Sequence, residues 1–154
     1  MTEFDIAPAR THEELTAFRA IGTEVHPGRT PSVAALEHEL ATDAGTVFLL
    51  ASLDGSPVGS GVGKSSSVGD SLFAMVRVRA AQRRAGVGTA ILAALSGHAR
   101  ARGHGSLIGR LREDDGDARR FAEHRGFGVL SRECPVFLDL ARVGEPEPPP
   151  GVVI

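Results

Sequence analysis

The stretch 76-VRVRAAQRRAGVGTAIL-92 decides how the rest of the chain is read. Val76 and Val78 alternate with Arg77 and Arg79, the period of a β-strand. Val87, Ile91, Leu95 and Ala99 then recur at helical spacing, and Gly103 ends that helix. Between them lies a turn containing Gly86 and Gly88. The first N–H groups of any helix lack intrahelical partners and sit at the positive end of its dipole. Glycines there remove side chains that would keep a ligand away. Arg83 and Arg84 add positive charge. The segment Arg83, Arg84, Ala85, Gly86, Val87, Gly88 and Thr89 therefore reads as an anion site suited to phosphate or pyrophosphate. A tight turn with no ligand accounts for the glycines equally well at this level.

Rival loop motifs fail on single residues. The dinucleotide fingerprint needs glycine at 91, where Ile91 stands. A Walker pattern ending at Gly63-Lys64-Ser65 needs glycine at 58, where Val58 stands, and a helix after Lys64, where SSSVGD follows. Residues 59–69 read as a flexible hairpin loop. The six histidines show no paired spacing with cysteine or carboxylates, so no metal site is expected.

Upstream, residues 3–9 read as a short strand and 11–25 as a helix with a Thr11/Glu14 capping box. His26-Pro27-Gly28 breaks it. A second helix begins at Pro31 and repeats Val33, Leu36 and Leu40. Residues 46–53 and 57–64 form strands joined at Asp54-Gly55. Downstream, 106–111 reads as a strand. Asp114 or Asp115 caps a helix carrying Phe121 that Gly126 stops. Two closing strands are expected near 127–132 and 134–140, with Cys134 as a small buried strand residue. The fold class is thus α/β, in the α+β sense: a mixed, mostly antiparallel sheet of six to seven strands with helices on both faces.

Composition excludes several alternatives. The chain has 154 residues, 42% hydrophobic and 23% charged, enough for one domain with a real core. A net charge of -2 calls for neither nucleic acid nor an anionic membrane. Lys64 is the only lysine, and tyrosine and tryptophan are absent, leaving little to stack on bases. A single cysteine makes no internal disulfide, which suits a reducing cytosol and a cytoplasmic location. Residues 1–10 do not read as a signal peptide, and no membrane-length apolar run is expected. No pattern specifies an oligomeric state.

The spacing Arg83-x-x-Gly86-x-Gly88, followed by Thr89 and a long amphipathic helix, resembles motif A of the GNAT acetyltransferases. The stretch from Asp115 through Phe121 and Ala122 to Gly126-Phe127 resembles their motif B. The similarity extends in element order from about residue 4 to residue 140 and is sharp only in these two segments. It implies that acetyl-CoA is the cosubstrate and an amine the acceptor, attacked directly with no acyl-enzyme. Val76 and Val78 would pair with the pantetheine arm, Arg83 to Thr89 would hold the pyrophosphate, and Asp115 and Phe121 would complete the cofactor site. Glu24 and His26, at the end of the first helix, are the candidates for a base. Many members have Asn where Asp115 stands and Tyr, a common general acid, where Ala122 stands. The chain has no tyrosine, so a non-catalytic acyl-CoA-binding domain is the alternative to an N-acetyltransferase. Residues 1–143 are expected to form this domain. Residues 144–154, GEPEPPPGVVI, form a Pro-rich linker or tail resembling the junction before a second repeat.

Overall fold

A computed structural model describes residues 3–28, 30–145 and 147–151. The chain falls into two compact units, residues 1–110 and 111–154.

The first unit holds one five-stranded sheet in the order β1-β2-β3-β4-β5. Its strands are β1 (Asp5–Pro8), β2 (Val47–Leu53), β3 (Ser56–Ser65), β4 (Ser71–Val78) and β5 (Ser106–Ile108). β1 to β4 pair antiparallel, and β5 pairs parallel to β4. The β2–β3 turn puts Asp54 and Gly55 at φ 50° and 78°, both in the left-handed region a two-residue hairpin turn requires.

Helices cover both faces. α1 (His12–Val25) and α2 (Val33–Thr42) pack Leu15, Phe18, Ile21 and Leu36 against Phe48, Leu50 and Val62. α3 (Val87–Ala101) packs Val87, Ile91 and Leu95 against Leu49, Ala51, Val58 and Ala74 on the other face. The seat of α3 depends on glycine. A Cβ on Gly61 would stand 2.6 Å from Ile91 Cγ2, and one on Gly59 2.9 Å from Ile91 Cδ1. The alternation Gly59, Gly61, Gly63 thus brings the helix close to the sheet, and residues expected as loop from 59 onward are strand as far as Ser65.

Four expectations need correction. The sheet has five strands, not six to seven. Among the described residues, 127–140 contains no strand. An apolar stretch becomes a strand only where its backbone finds a ladder partner, and Pro135 brings no N–H to one. Val136 and Phe137 are 90% and 95% exposed, and Cys134 is exposed rather than buried. The last strand of the sheet ends at Ile108 instead of 111. The second unit contains α4 (Gly116–Glu123). Proline-rich residues 147–150 lie exposed outside any helix or strand, and residues 152–154 of the expected apolar end fall outside the described residues. Among the described residues no helix is long and apolar enough to cross a membrane.

Candidate functional site

The glycine turn between β4 and α3 is built as follows. β4 ends at Val78, and the Arg79 N–H donates to the Val58 carbonyl at 3.0 Å. A short 3-10 turn, Ala80–Gln82, reverses the chain. Arg84 then takes φ 66° and Gly86 φ 91°. The left-handed conformation costs a non-glycine residue roughly 1–2 kcal/mol, so Arg84 is a strained position and Gly86 an unstrained one. Gly86 is the N-cap of α3 and provides no side-chain hydrogen bond. The first intrahelical bond runs from the Ala90 N–H to the Gly86 carbonyl, 3.0 Å. The amides of Val87, Gly88 and Thr89 precede it, at the positive end of the dipole. Residues 83–86 are exposed, and no acidic residue occupies the first turn. Val87 is 1% exposed: its side chain belongs to the core, and only its backbone faces the turn. The Arg83 Nε donates to the Val78 carbonyl at 3.3 Å, tying the turn to the strand end.

β4 also offers backbone. Because Arg79 bonds toward β3, alternation turns the N–H and C=O groups of Val76 and Val78 to the opposite edge. On that edge β5 pairs only with Ser71, Leu72 and Phe73. The edge from Ala74 onward therefore has no strand partner among the described residues. The side chains of Val76 and Val78 pack against the α3 core.

The end of α1 lies beside the end of β4. The Glu24 carboxylate stands 3.2 Å from the Arg79 Nε, so it is engaged by a cation instead of facing solvent alone. His26 caps α1, its N–H donating to the Gly22 carbonyl at 2.8 Å.

Residues that the alternation pattern missed lie on the α1 face of β4. Arg77, which alternates with Val76 and Val78, is only 7% exposed. Alternation predicts an exposed face only when one side of a sheet is bare, and here helices precede and follow the strand. Arg77 stands opposite Ser60 in the β3–β4 register. The Arg77 Nε, the Ser60 Oγ and the Thr30 Oγ1 are buried and without hydrogen-bond partners.

In the second unit, Asp115 caps α4 by accepting from the Ala118 N–H at 3.0 Å. The Arg125 guanidinium lies 3.8 Å from the centre of the Phe121 ring. Gly126, at φ 82°, and the Phe127 N–H, bonded to the Ala122 carbonyl at 3.1 Å, close the helix end. Of the residues expected to bind cofactor, Val76, Val78 and 83–89 meet at one strand end and helix head of the first unit, and Asp115 and Phe121 belong to the second unit.

A family model described as Acetyltransferase (GNAT) family matches residues 11–127. No curated protein matches the chain. Among solved structures, AAC(6')-Iy in complex with a bisubstrate analogue, CoA-S-monomethyl-acetylneamine, aligns with a TM-score of 0.76 at 17% identity, covering 90% of this chain and 99% of that one. An N-acetyltransferase from Staphylococcus aureus Mu50 aligns at 0.70 and 16%, covering 84% and 86%. The ribosomal-protein-S18-alanine N-acetyltransferase from Escherichia coli aligns at 0.69 and 18%, covering 84% and 80%.

Proposed function

The chain belongs to the acetyltransferase (GNAT) family, and from that premise we propose that it transfers an acetyl group from acetyl-CoA to an amine by direct attack. The observation that carries this reading is the uncapped, exposed head of α3 at Gly86. Several N–H groups converge there with the positive end of a dipole and two arginines, which fits a diphosphate. In this reading the Val87 to Thr89 amides bind the diphosphate, with Arg83 and Arg84 adding charge at the rim. The edge of β4 at Val76 and Val78, where no described strand pairs, then aligns the pantetheine arm by strand-like hydrogen bonds, with the Val78 carbonyl shared with Arg83.

The amine nitrogen forms a bond to the thioester carbonyl carbon as the carbon–sulfur bond breaks. The amine gives up a proton and the thiolate takes one. Glu24 is held by Arg79, and the chain has no tyrosine, so water molecules, with His26 as the remaining base candidate, carry these protons. A thiol ordinarily titrates near ~8.5, so a CoA thiolate leaves without an obligatory acid. The absence of a tyrosine also favours the second reading, an acyl-CoA-binding domain without turnover.

Thermal stability with CoA, acetyl-CoA and ATP tests the ligand class. Coenzyme at a hundred times its dissociation constant should stabilise the fold by about 2.7 kcal/mol. Stabilisation by ATP alone rejects both readings. Free-thiol release with a panel of amines then separates enzyme from binder.

A further inference from the structure

Arg77 is buried, and no salt bridge to it is found among the described residues. Burial lowers its pKa, with no carboxylate acting in the other direction. The nearby acid at the end of α1, Glu24, is engaged with Arg79. A guanidinium cannot relieve the cost of burial by losing its proton, and an uncompensated buried charge is among the least favourable states a side chain can hold.

The surroundings of Arg77 are also rich in donors. Ser60, its cross-strand partner, is 0% exposed with an unpartnered hydroxyl. Thr30 brings a second unpartnered hydroxyl. Both Thr30 and Arg77 crowd the bare backbone of Gly22 on α1: a Cβ there would stand 2.9 Å from the Thr30 side chain and 3.4 Å from the Arg77 Nη1. Gly22 thus admits both groups under the last turns of the helix. Buried polar atoms are almost always paired in folded proteins. Three unpaired ones gathered around a fixed positive charge call for an acceptor with several lone pairs and a negative charge. A carboxylate has two such oxygens and matches the guanidinium fork.

The position along the strand gives this group a use. Arg77 lies between Val76 and Val78, whose backbone edge is assigned above to the coenzyme arm, but its side chain projects on the α1 face rather than the α3 face. An acceptor held there by its acidic end keeps its amine beside the strand that aligns the thioester. We infer that Arg77, with Ser60 and Thr30, binds a carboxylate of the acceptor, so that the substrate class is an amino acid or peptide-like amine and not a polycationic amine. This inference rests on the acetyl-transfer reading of the same site.

The test uses the full chain saturated with CoA or acetyl-CoA, and matched pairs of common amino acids and their carboxamides, with neamine as a polycationic comparator. The expected result is that a carboxylate-bearing amine stabilises the CoA-bound protein and is acetylated with a KM at least about 30-fold below that of its carboxamide. Arg77→Met should abolish that preference while stabilisation by CoA persists, and Arg77→Lys should restore part of it. Ser60→Ala and Thr30→Val, which barely change volume, should each raise KM for the carboxylate severalfold without changing KM for acetyl-CoA. They keep the test valid if Arg77→Met fails to fold. The inference is overturned if carboxamides or neamine perform as well as carboxylates, if no carboxylate-bearing amine stabilises or reacts, or if the preference survives in Arg77→Met. If CoA itself does not stabilise the wild-type chain, the acetyl-transfer reading fails first, and this inference with it.

Discussion

The heads of α1 and α3 solve the same physical problem in opposite ways. α1 satisfies its own first amides: the Thr11 hydroxyl accepts from the Glu14 N–H at 3.2 Å, and the Glu14 carboxylate accepts from the N–H groups of Thr11 at 2.9 Å and Arg10 at 2.7 Å. α2 and α4 are also capped from within, by Ser32 and Asp115. α3 begins at a left-handed glycine with no side chain to offer. Three helices are closed at the start by a side chain of their own N-cap residue, and the fourth has no side-chain cap at Gly86. A helix head is therefore informative about ligands mainly when its neighbours show that the chain can cap one.

The contrast can be broken most severely at Gly86. Gly86→Val should lower CoA affinity by about 3 kcal/mol or more, on the order of a hundredfold, because its side chain enters the space in front of several charge-assisted donors. The unfolding free energy should fall by only about 1–2 kcal/mol, the left-handed penalty. Titration calorimetry and urea unfolding on one preparation read both quantities, and undiminished affinity would remove the coenzyme from this helix head.

At α1 the same kind of damage should have the reverse profile. Thr11→Ala should cost about 1 kcal/mol of stability and leave CoA affinity unchanged. A matching loss of affinity would show that the two heads are not independent.

The smallest effect is a pH dependence confined to α1. Hydrogen bonds from the Thr11 and then the Arg10 backbone N–H groups hold the Glu14 carboxyl below its ordinary value of 4.5. A depressed pKa contributes stability above the unfolded value, and that contribution is lost as pH falls through the folded value. The melting temperature of the wild type should therefore decline in acid below about pH 4.5 relative to Glu14→Gln, which cannot titrate. CoA binding should show no corresponding step. Parallel melting curves for the two proteins across that range would refute the assignment.

Legibility followed the range of each interaction. The capping box at Thr11 and Glu14, the Asp54-Gly55 turn and the glycine ends of α3 and α4 are readable from adjacent residues, since each is satisfied within a few positions. The start of α2 is nearly so: Pro31 marks it, while Ser32 provides the hydrogen bond. The glycines of β3 were misleading because their reason lies across the sheet, in Ile91 and Leu95. The stretch 127–140 is rich in apolar residues but has no ladder partner among the described residues. The turn at residues 83–89 was legible, whereas the burial of Arg77, Ser60 and the Thr30 hydroxyl was not, because it arises only when α1 covers β4.

By itself, then, the sequence determined the family, the helices and the open head of α3, because caps, turns and helical periodicity are settled between residues a few positions apart. Tertiary structure alone decided how many strands pair, how close α3 lies to β3, and that Arg77 is buried. Those outcomes depend on what covers a face or meets an edge, and the residues responsible stand tens of positions away in the chain.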